Sequence, residues 1–292
     1  MDTAVVTGGT VGIGRQIARN FAMDGMRVII IGRDEKKGKA SERALREETS
    51  NTGVEFVSAD LSLVRETDTL VSELQRRLGS LHYLVHSAGT IRSHRSLTTE
   101  GFETMFATNF LTRVVLTNGL LPALERGGTP CTPAQLLFIS GAAQGGRIEY
   151  EDPSLTRKFS LVRAVRQFCL ANDLLALHLE RTLRDSGDAS RVNVHCLKLG
   201  VVRTNIRRTA PKWLRWLVSL VLDPLIGLTP EDAAAVALTL VRNPKPSSTV
   251  LLTYIRKPKL FTPAEELNNP LEQVRLAIWA ERLADQARAP RA

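Results

Sequence analysis

Residues Thr7 to Gly14 read Thr-Gly-Gly-Thr-Val-Gly-Ile-Gly. They join a short β-branched run, Thr3 to Thr7, to a segment in which Ile13, Ile17, Ala18 and Phe21 recur at helical spacing. Glycines where a buried strand turns into a helix let the backbone approach a pyrophosphate, whose charge meets the unsatisfied N–H groups of the helix N-terminus. Gly8, Gly12 and Gly14, with Thr7, Gly9, Thr10 and Ile13 around them, are therefore candidate dinucleotide contacts. A glycine-rich turn also serves as a plain tight connection between strand and helix, so the rest of the chain must decide.

Arg27 to Ile31 is a second strand, β-branched from Val28 onward, and it closes at Gly32-Arg33-Asp34. In a dinucleotide fold this end meets the adenosine ribose, where an acid selects a 2′-hydroxyl and a base accepts a 2′-phosphate. Arg33, with Arg15 behind it in the glycine turn, points to NADP(H), and Asp34 is the opposing feature. A charged helix from about Glu35 to Thr49 leads to a strand from Val54 to Ser58. Asp60-Leu61 follows at its carboxyl end, where a polar residue can hold an adenine edge. After a helix from Leu63 to Leu78, a strand from Leu81 to Val85 ends at His86-Ser87-Ala88-Gly89, small residues that permit close backbone contact with a ligand. Strict alternation of strand and helix calls for an α/β fold, a doubly wound parallel sheet covered on both faces. No linker or repeat interrupts it, so one domain over residues 1–292 is expected.

A hydrophobic content of 43% over 292 residues supplies a sizeable core and excludes disorder as the main state. Cys131, Cys169 and Cys196 are odd in number and widely spaced, which indicates neither a disulfide framework nor a zinc site. His86, His94 and the other histidines make no metal-ligand spacing. The net charge of +9 is densest at Arg203, Arg207, Arg208, Lys212 and Arg215 and again at Arg256, Lys257 and Lys259. Nucleic acid is set aside, because no recognition motif is present and aromatic residues make up only 5% of the chain. An anionic cofactor, an anionic substrate or a lipid surface suits that charge better. Neither a leader peptide nor an apolar run long enough to span a bilayer is evident, so a cytoplasmic protein is expected.

The motifs resemble those of the short-chain dehydrogenase/reductase superfamily, and within it the retinol-dehydrogenase-type branch. Thr7-Gly8 through Gly12-x-Gly14 is similar to the family's glycine motif, and His86-Ser87-Ala88-Gly89 to a worn Asn-Asn-Ala-Gly. The stretch Leu97 to Glu103 opens the helix that carries Asn109. Gly200-Val201-Val202-Arg203-Thr204 corresponds to the turn that holds the nicotinamide amide in the family, which makes Val201 and Thr204 cofactor candidates. The resemblance implies a Rossmann-like fold with a helical substrate lid at about 205–228 and a C-terminal tail at about 253–292. It also implies a homo-oligomer built through the helices around Asn109 and Leu161 to Leu183.

The family's chemistry uses a tyrosine as general acid/base, a lysine four residues later and a serine that holds the substrate oxygen. No Tyr-x-x-x-Lys exists in this chain. Ala164 to Asn172 resembles the family's catalytic helix, with Val165 at the tyrosine and Cys169 at the lysine. Leu136 to Gly141 resembles the serine strand, with Gly141 at the catalytic position, unless the register shifts by one and Ser140 takes it. Of the family's four catalytic positions only Asn109 keeps its residue, where the resemblance implies an opened helix and an ordered relay water. Tyr150 is either a substitute acid in the substrate wall or an exposed loop aromatic. Cys169 is a small buried thiol or an unusual active-site group, and Lys198 faces either the nicotinamide or solvent.

The lid segment Lys212 to Leu222 carries two tryptophans and flanking cations, which suits either an apolar substrate or contact with a membrane surface. These features lead to an atypical enzyme that binds NADP(H) and acts on a bulky apolar small molecule without the Ser-Tyr-Lys relay. A pre-activated acceptor such as an iminium needs no protonated oxygen during hydride transfer. Two alternatives stand beside this reading: a non-redox cyclase or isomerase using the retired pocket, and a non-catalytic NADP(H)-binding sensor or partner protein.

Overall fold

The computed structural model describes residues 1–143, 145–185, 191–200, 228–242, 250–254, 258–260 and 265–289. Val201, Thr204 and all but the last residue of the expected lid lie outside the described residues. Eight strands form one sheet in the order β3-β2-β1-β4-β5-β6-β7-β8. The parallel members are β1 (Thr3–Thr7), β2 (Arg27–Gly32), β3 (Val54–Ser58), β4 (Tyr83–His86), β5 (Ala134–Gly141), β6 (Val192–Leu199) and β7 (Val250–Tyr254). A short β8 (Pro258–Leu260) returns antiparallel beside β7. The doubly wound sheet is thus as expected, and part of the segment expected as a tail completes its edge.

Strand residues are buried on both faces, which is why β1 and β2 read as near-continuous apolar runs. Val5, Ile29 and Leu84 face one core with α3 (Val64–Arg77), α5 (Thr112–Gly127) and α6 (Leu161–Asp185). Val6, Ile30, Val85 and Leu197 face the other, with α1 (Gly12–Met23) and α7 (Pro230–Arg242). The charged α2 (Glu35–Thr49) lies beside β3. β4 begins and ends later than the sequence reading of Leu81 to Val85, because pairing with β1 sets Ala4 opposite Tyr83 and Thr7 opposite His86. The carboxyl ends of β1 and β4 meet where the strand order reverses, the crevice in which such sheets bind ligands.

A short α4 (Thr104–Phe106) passes through a π-helical turn, Ala107–Leu111, into α5. The C-terminal α8 (Pro270–Arg288) packs over α3, α5 and α6. Arg288 pairs with Asp68 at 2.8 Å, and Asn118 donates to Glu281 at 3.3 Å. The helices through which the family resemblance implies oligomerisation therefore carry this chain's own last helix on their outer side. Among the described residues no helix is long and apolar enough to cross a membrane, and no cluster of side chains could hold a metal ion. Cys131 is exposed, while Cys169 and Cys196 are buried as free thiols.

His195 lies inside the sheet between β5 and β7, with Nε2 2.7 Å from Gln135 Oε1 and Nδ1 unpartnered. Burial lowers its pKa from 6.5 to about 4. Below pH 6.5 the unfolded chain then binds a proton that the folded chain refuses. The contribution is complete above that pH and is lost as pH falls toward 4, at about 1.4 kcal/mol per pH unit. Urea unfolding across this range should show His195→Gln losing less stability with acid than the unsubstituted protein, whatever its effect at neutral pH.

Candidate cofactor cradle and active site

The glycine turn is built by contacts within the protein. Gly8 takes φ 66°, its N–H donates to Ile31 O at 2.8 Å, and a Cβ there would stand 2.9 Å from the Ala88 backbone. A Cβ on Gly14 would stand 2.5 Å from Gly8 O, so the first turn of α1 can press against the loop only without a side chain. The Thr7 hydroxyl donates to Val85 O at 3.3 Å and accepts from Ser87 N and Ala88 N, each at 3.1 Å. Thr7, proposed from sequence as a cofactor contact, thus ties the end of β1 to the Ser87-Ala88-Gly89 turn.

The N-terminus of α1 differs from those of the other long helices that begin from a loop. Asp34 caps α2, and Glu100 accepts from Val64 N and Arg65 N at the start of α3. Ser160, Thr229 and Asn269 supply side-chain oxygens to the first turns of α6, α7 and α8. At α1 the N-cap is Val11, no side chain caps the turn, and its first turn holds no acid. Among the described residues the first turn of α1 is thus left without a side-chain cap, and the dipole and backbone donors of such a helix N-terminus suit a phosphate.

Around this turn several charges are already paired. Arg15 is bound to Glu48 at 2.5 Å, so its charge is compensated by α2, whereas Arg33 at the end of β2 is exposed. The Asp34 carboxylate accepts from Lys37 N at 3.0 Å and pairs with Lys37 at 2.6 Å, which holds it below its usual range and turns it toward its own helix. Thr10 packs near Gly32. Asp60 accepts from Ser62 N at 2.9 Å, and buried Leu61 gives its carbonyl to Thr112 Oγ1 at 2.8 Å. His86 is fully buried, 2.9 Å from Thr117 Oγ1 and stacked on Phe138, and burial holds it neutral.

The positions that the resemblance matches to the family's catalytic residues do converge. A Cβ on Gly141 would stand 3.3 Å from Cys169 Sγ, and Val165 lies one turn earlier on α6, half-buried. Ser140 is also buried there. Asn109 sits in the π-helical turn and clamps Thr90 through both backbone groups, at 3.0 and 2.8 Å. The carbonyl of Asn109 accepts from the Asn172 side chain at 2.9 Å. Burial pushes the Cys169 thiol up.

Of the two sequence readings of Lys198, solvent is excluded by its burial. It is 1% exposed and ion-paired with Asp173 of α6, and Cys196 Sγ donates to the same carboxylate at 3.5 Å. Its backbone pairs with Ser140, which puts both side chains on the α6 face of the sheet. Burial raises Asp173 to about 6 despite the pairing. Arg113 is buried too, donating to Ile139 O at 2.9 Å and Ala88 O at 2.8 Å, with Nε unpartnered and its pKa lowered to about 10 by burial. Sequence reasoning passed over Arg113 and Asp173. Their signal was a charge set inside windows, Leu111 to Leu116 and Ala171 to Leu177, whose other residues demand burial.

Tyr150 is half-buried against α8 and is not an exposed loop aromatic. Its hydroxyl donates to Glu272 at 3.1 Å, its ring meets Trp279 edge-on at 5.1 Å, and Arg275 lies 4.0 Å over it. Burial and the neighbouring carboxylate push it up to about 12, so its proton stays with the contact to α8.

A family model described as short chain dehydrogenase matches residues 2–131. A human polyprenol dehydrogenase is 32% identical over 243 residues, covering 83% of this chain and 73% of the relative. The chain belongs to the short-chain dehydrogenase family. Human retinol dehydrogenase 13 is 31% identical over 284 residues, 96% of this chain and 82% of the relative, which places this dehydrogenase-family member in the retinol-dehydrogenase-type branch. Among solved structures, RhlG of Pseudomonas aeruginosa in complex with NADP matches with a TM-score of 0.66 at 24% identity, over 85% of this chain and 92% of that one. An uncharacterised protein from Mycobacterium paratuberculosis matches with a TM-score of 0.76 at 23% identity, over 98% and 94%. These two likenesses concern the fold.

Breaking the buried pair from either side leaves an uncompensated charge. Asp173→Leu and Lys198→Met should each cost about 3–5 kcal/mol, while the double variant should recover most of the loss. Chemical denaturation of the four proteins measures the coupling.

Proposed function

We propose that this short-chain dehydrogenase family member binds NADP(H) and acts on a bulky apolar small molecule through a site that lacks the Ser-Tyr-Lys relay. The observation that carries the reading is the uncapped N-terminus of α1 behind the glycine turn, beside an exposed Arg33 and an Asp34 whose carboxylate is turned away. Bound there, the dinucleotide supplies hydride chemistry. Gly12, Ile13 and Gly14 offer backbone donors to its phosphates, Arg33 suits a 2′-phosphate, and Ala88 and Gly89 let the ligand approach closely. The relatives named for polyprenol and retinol support an apolar substrate, and RhlG, solved with NADP, supports the cofactor.

At the reacting end, Val165 and Gly141 have no proton to give, and burial keeps Cys169 a neutral thiol. Hydride transfer to a ketone requires a proton on oxygen, and loss of a positioned acid costs on the order of 10²–10⁴-fold. An acceptor that is already cationic, such as an iminium, avoids that requirement by positioning alone. The same missing donor favours, as a second reading, a non-redox rearrangement of an apolar substrate in this pocket.

Val11→Asp supplies a cap and a negative charge where the phosphate would sit. It should stabilise the protein by about 0.5–2 kcal/mol and weaken NADPH binding by about tenfold or more, read by calorimetry. Arg33→Ala should weaken NADPH without weakening NADH, and equal losses for both would remove the 2′-phosphate assignment. In a spectrophotometric assay, NADPH should be oxidised with cyclic iminium acceptors and not with simple ketones. Turnover of an apolar substrate that is indifferent to NADPH would establish the non-redox reading instead.

A further inference from the structure

Between the loop that follows β5 and the first turns of α6 lies a cleft of about 340 Å³, lined by Gly146, Arg147, Glu149, Lys158, Arg163 and Arg166. Four cations face one carboxylate. Glu149 is bound by Arg147 at 2.8 Å and Arg163 at 2.5 Å, and the Arg147 contact foremost holds it below the usual carboxylate range, so it is ionised and already shared. Lys158 and Arg166 are exposed, and among the described residues their side chains have no ionic partner or hydrogen bond.

The cleft is held in place by the chain. Arg163 donates to Lys158 O at 2.6 Å, which fixes the guanidinium between loop and helix. Gly145 and Gly146 take φ 71° and 100°, and a Cβ on Gly146 would stand 2.8 Å from Arg166 Cβ, so the loop lies directly on α6. This collection of cations stands at the positive end of a 25-residue helix whose first turn contains no acid. Cations there oppose the helix dipole, and an anion in the cleft relieves both the dipole and the mutual repulsion. A net charge of three on the lining exceeds what one carboxylate neutralises and suits the multiple oxygens of phosphate, which arginine grips in bidentate fashion.

We propose that this cleft is a binding site for a phosphate or diphosphate group, one residue along α6 from Val165. It is distinct from the glycine cradle and does not rest on the cofactor reading. Calorimetric titration with inorganic pyrophosphate at fixed ionic strength, with NADP⁺ in excess, should show binding. Lys158→Gln/Arg166→Gln, exposed changes that remove no ion pair or hydrogen bond among the described residues, should weaken it by about tenfold or more, while Val11→Asp, which closes the cradle, should leave it unchanged. Cosedimentation with phosphatidic acid vesicles, against phosphatidylcholine, separates the sources. Vesicle binding lost in the double variant without binding of free pyrophosphate assigns a lipid headgroup, and pyrophosphate binding without vesicle binding assigns a soluble phosphorylated ligand. Failure to bind either probe, equal binding by the double variant, or loss only in Val11→Asp overturns the proposal.

Discussion

The Thr7 hydroxyl holds together the place on which the ligand crevice depends. It ties β1 to β4 by one hydrogen bond and to the turn after β4 by two, at the point where the strand order reverses. Gly8 can then bend away against Ala88, and among the described residues α1 starts without a side-chain cap. A backbone opening of this kind persists only where neighbouring groups are satisfied, since unpaired buried amides are costly. Here the amides of Ser87 and Ala88 are satisfied by Thr7, while among the described residues no side chain caps the start of α1.

A second organising feature is the charge buried beneath the active-site positions. Asp173 balances Lys198, while Arg113 rests on neutral carbonyl groups alone. Burying ions is offset only by close partners, and α6 supplies the carboxylate one turn beyond Cys169. A lysine restored at position 169 would therefore enter a region that already holds two cations. Beside Gly141, Val165 and Cys169 the buried cation Lys198 thus lies on β6 and its counter-ion Asp173 on the helix.

Much of the fold was legible because parallel strands buried on both faces write themselves as apolar runs, and because Gly8 to Gly14 can serve few conformations. The glycine cradle and Arg33 could be named from position alone. Tyr150 could not be read, because its partners Glu272, Arg275 and Trp279 lie more than a hundred residues away on a helix with no local signature of where it docks. The partner of Lys198 could not be read, because local spacing gives a strand residue's face and says nothing about a carboxylate on another element. Arg15 was credited to the cofactor, yet Glu48 on α2 takes it.

The sequence by itself determined the alternation of strand and helix, the glycine turn, the family and the absence of any Tyr-x-x-x-Lys, since each is a matter of residue type and spacing along the chain. Tertiary structure alone decided which charges are compensated, which helix N-terminus is left open, and how the loop after β5 meets α6 to form a basic cleft. Those properties depend on distances between residues far apart in sequence, where Coulomb interactions and hydrogen bonds act through space and not along the backbone.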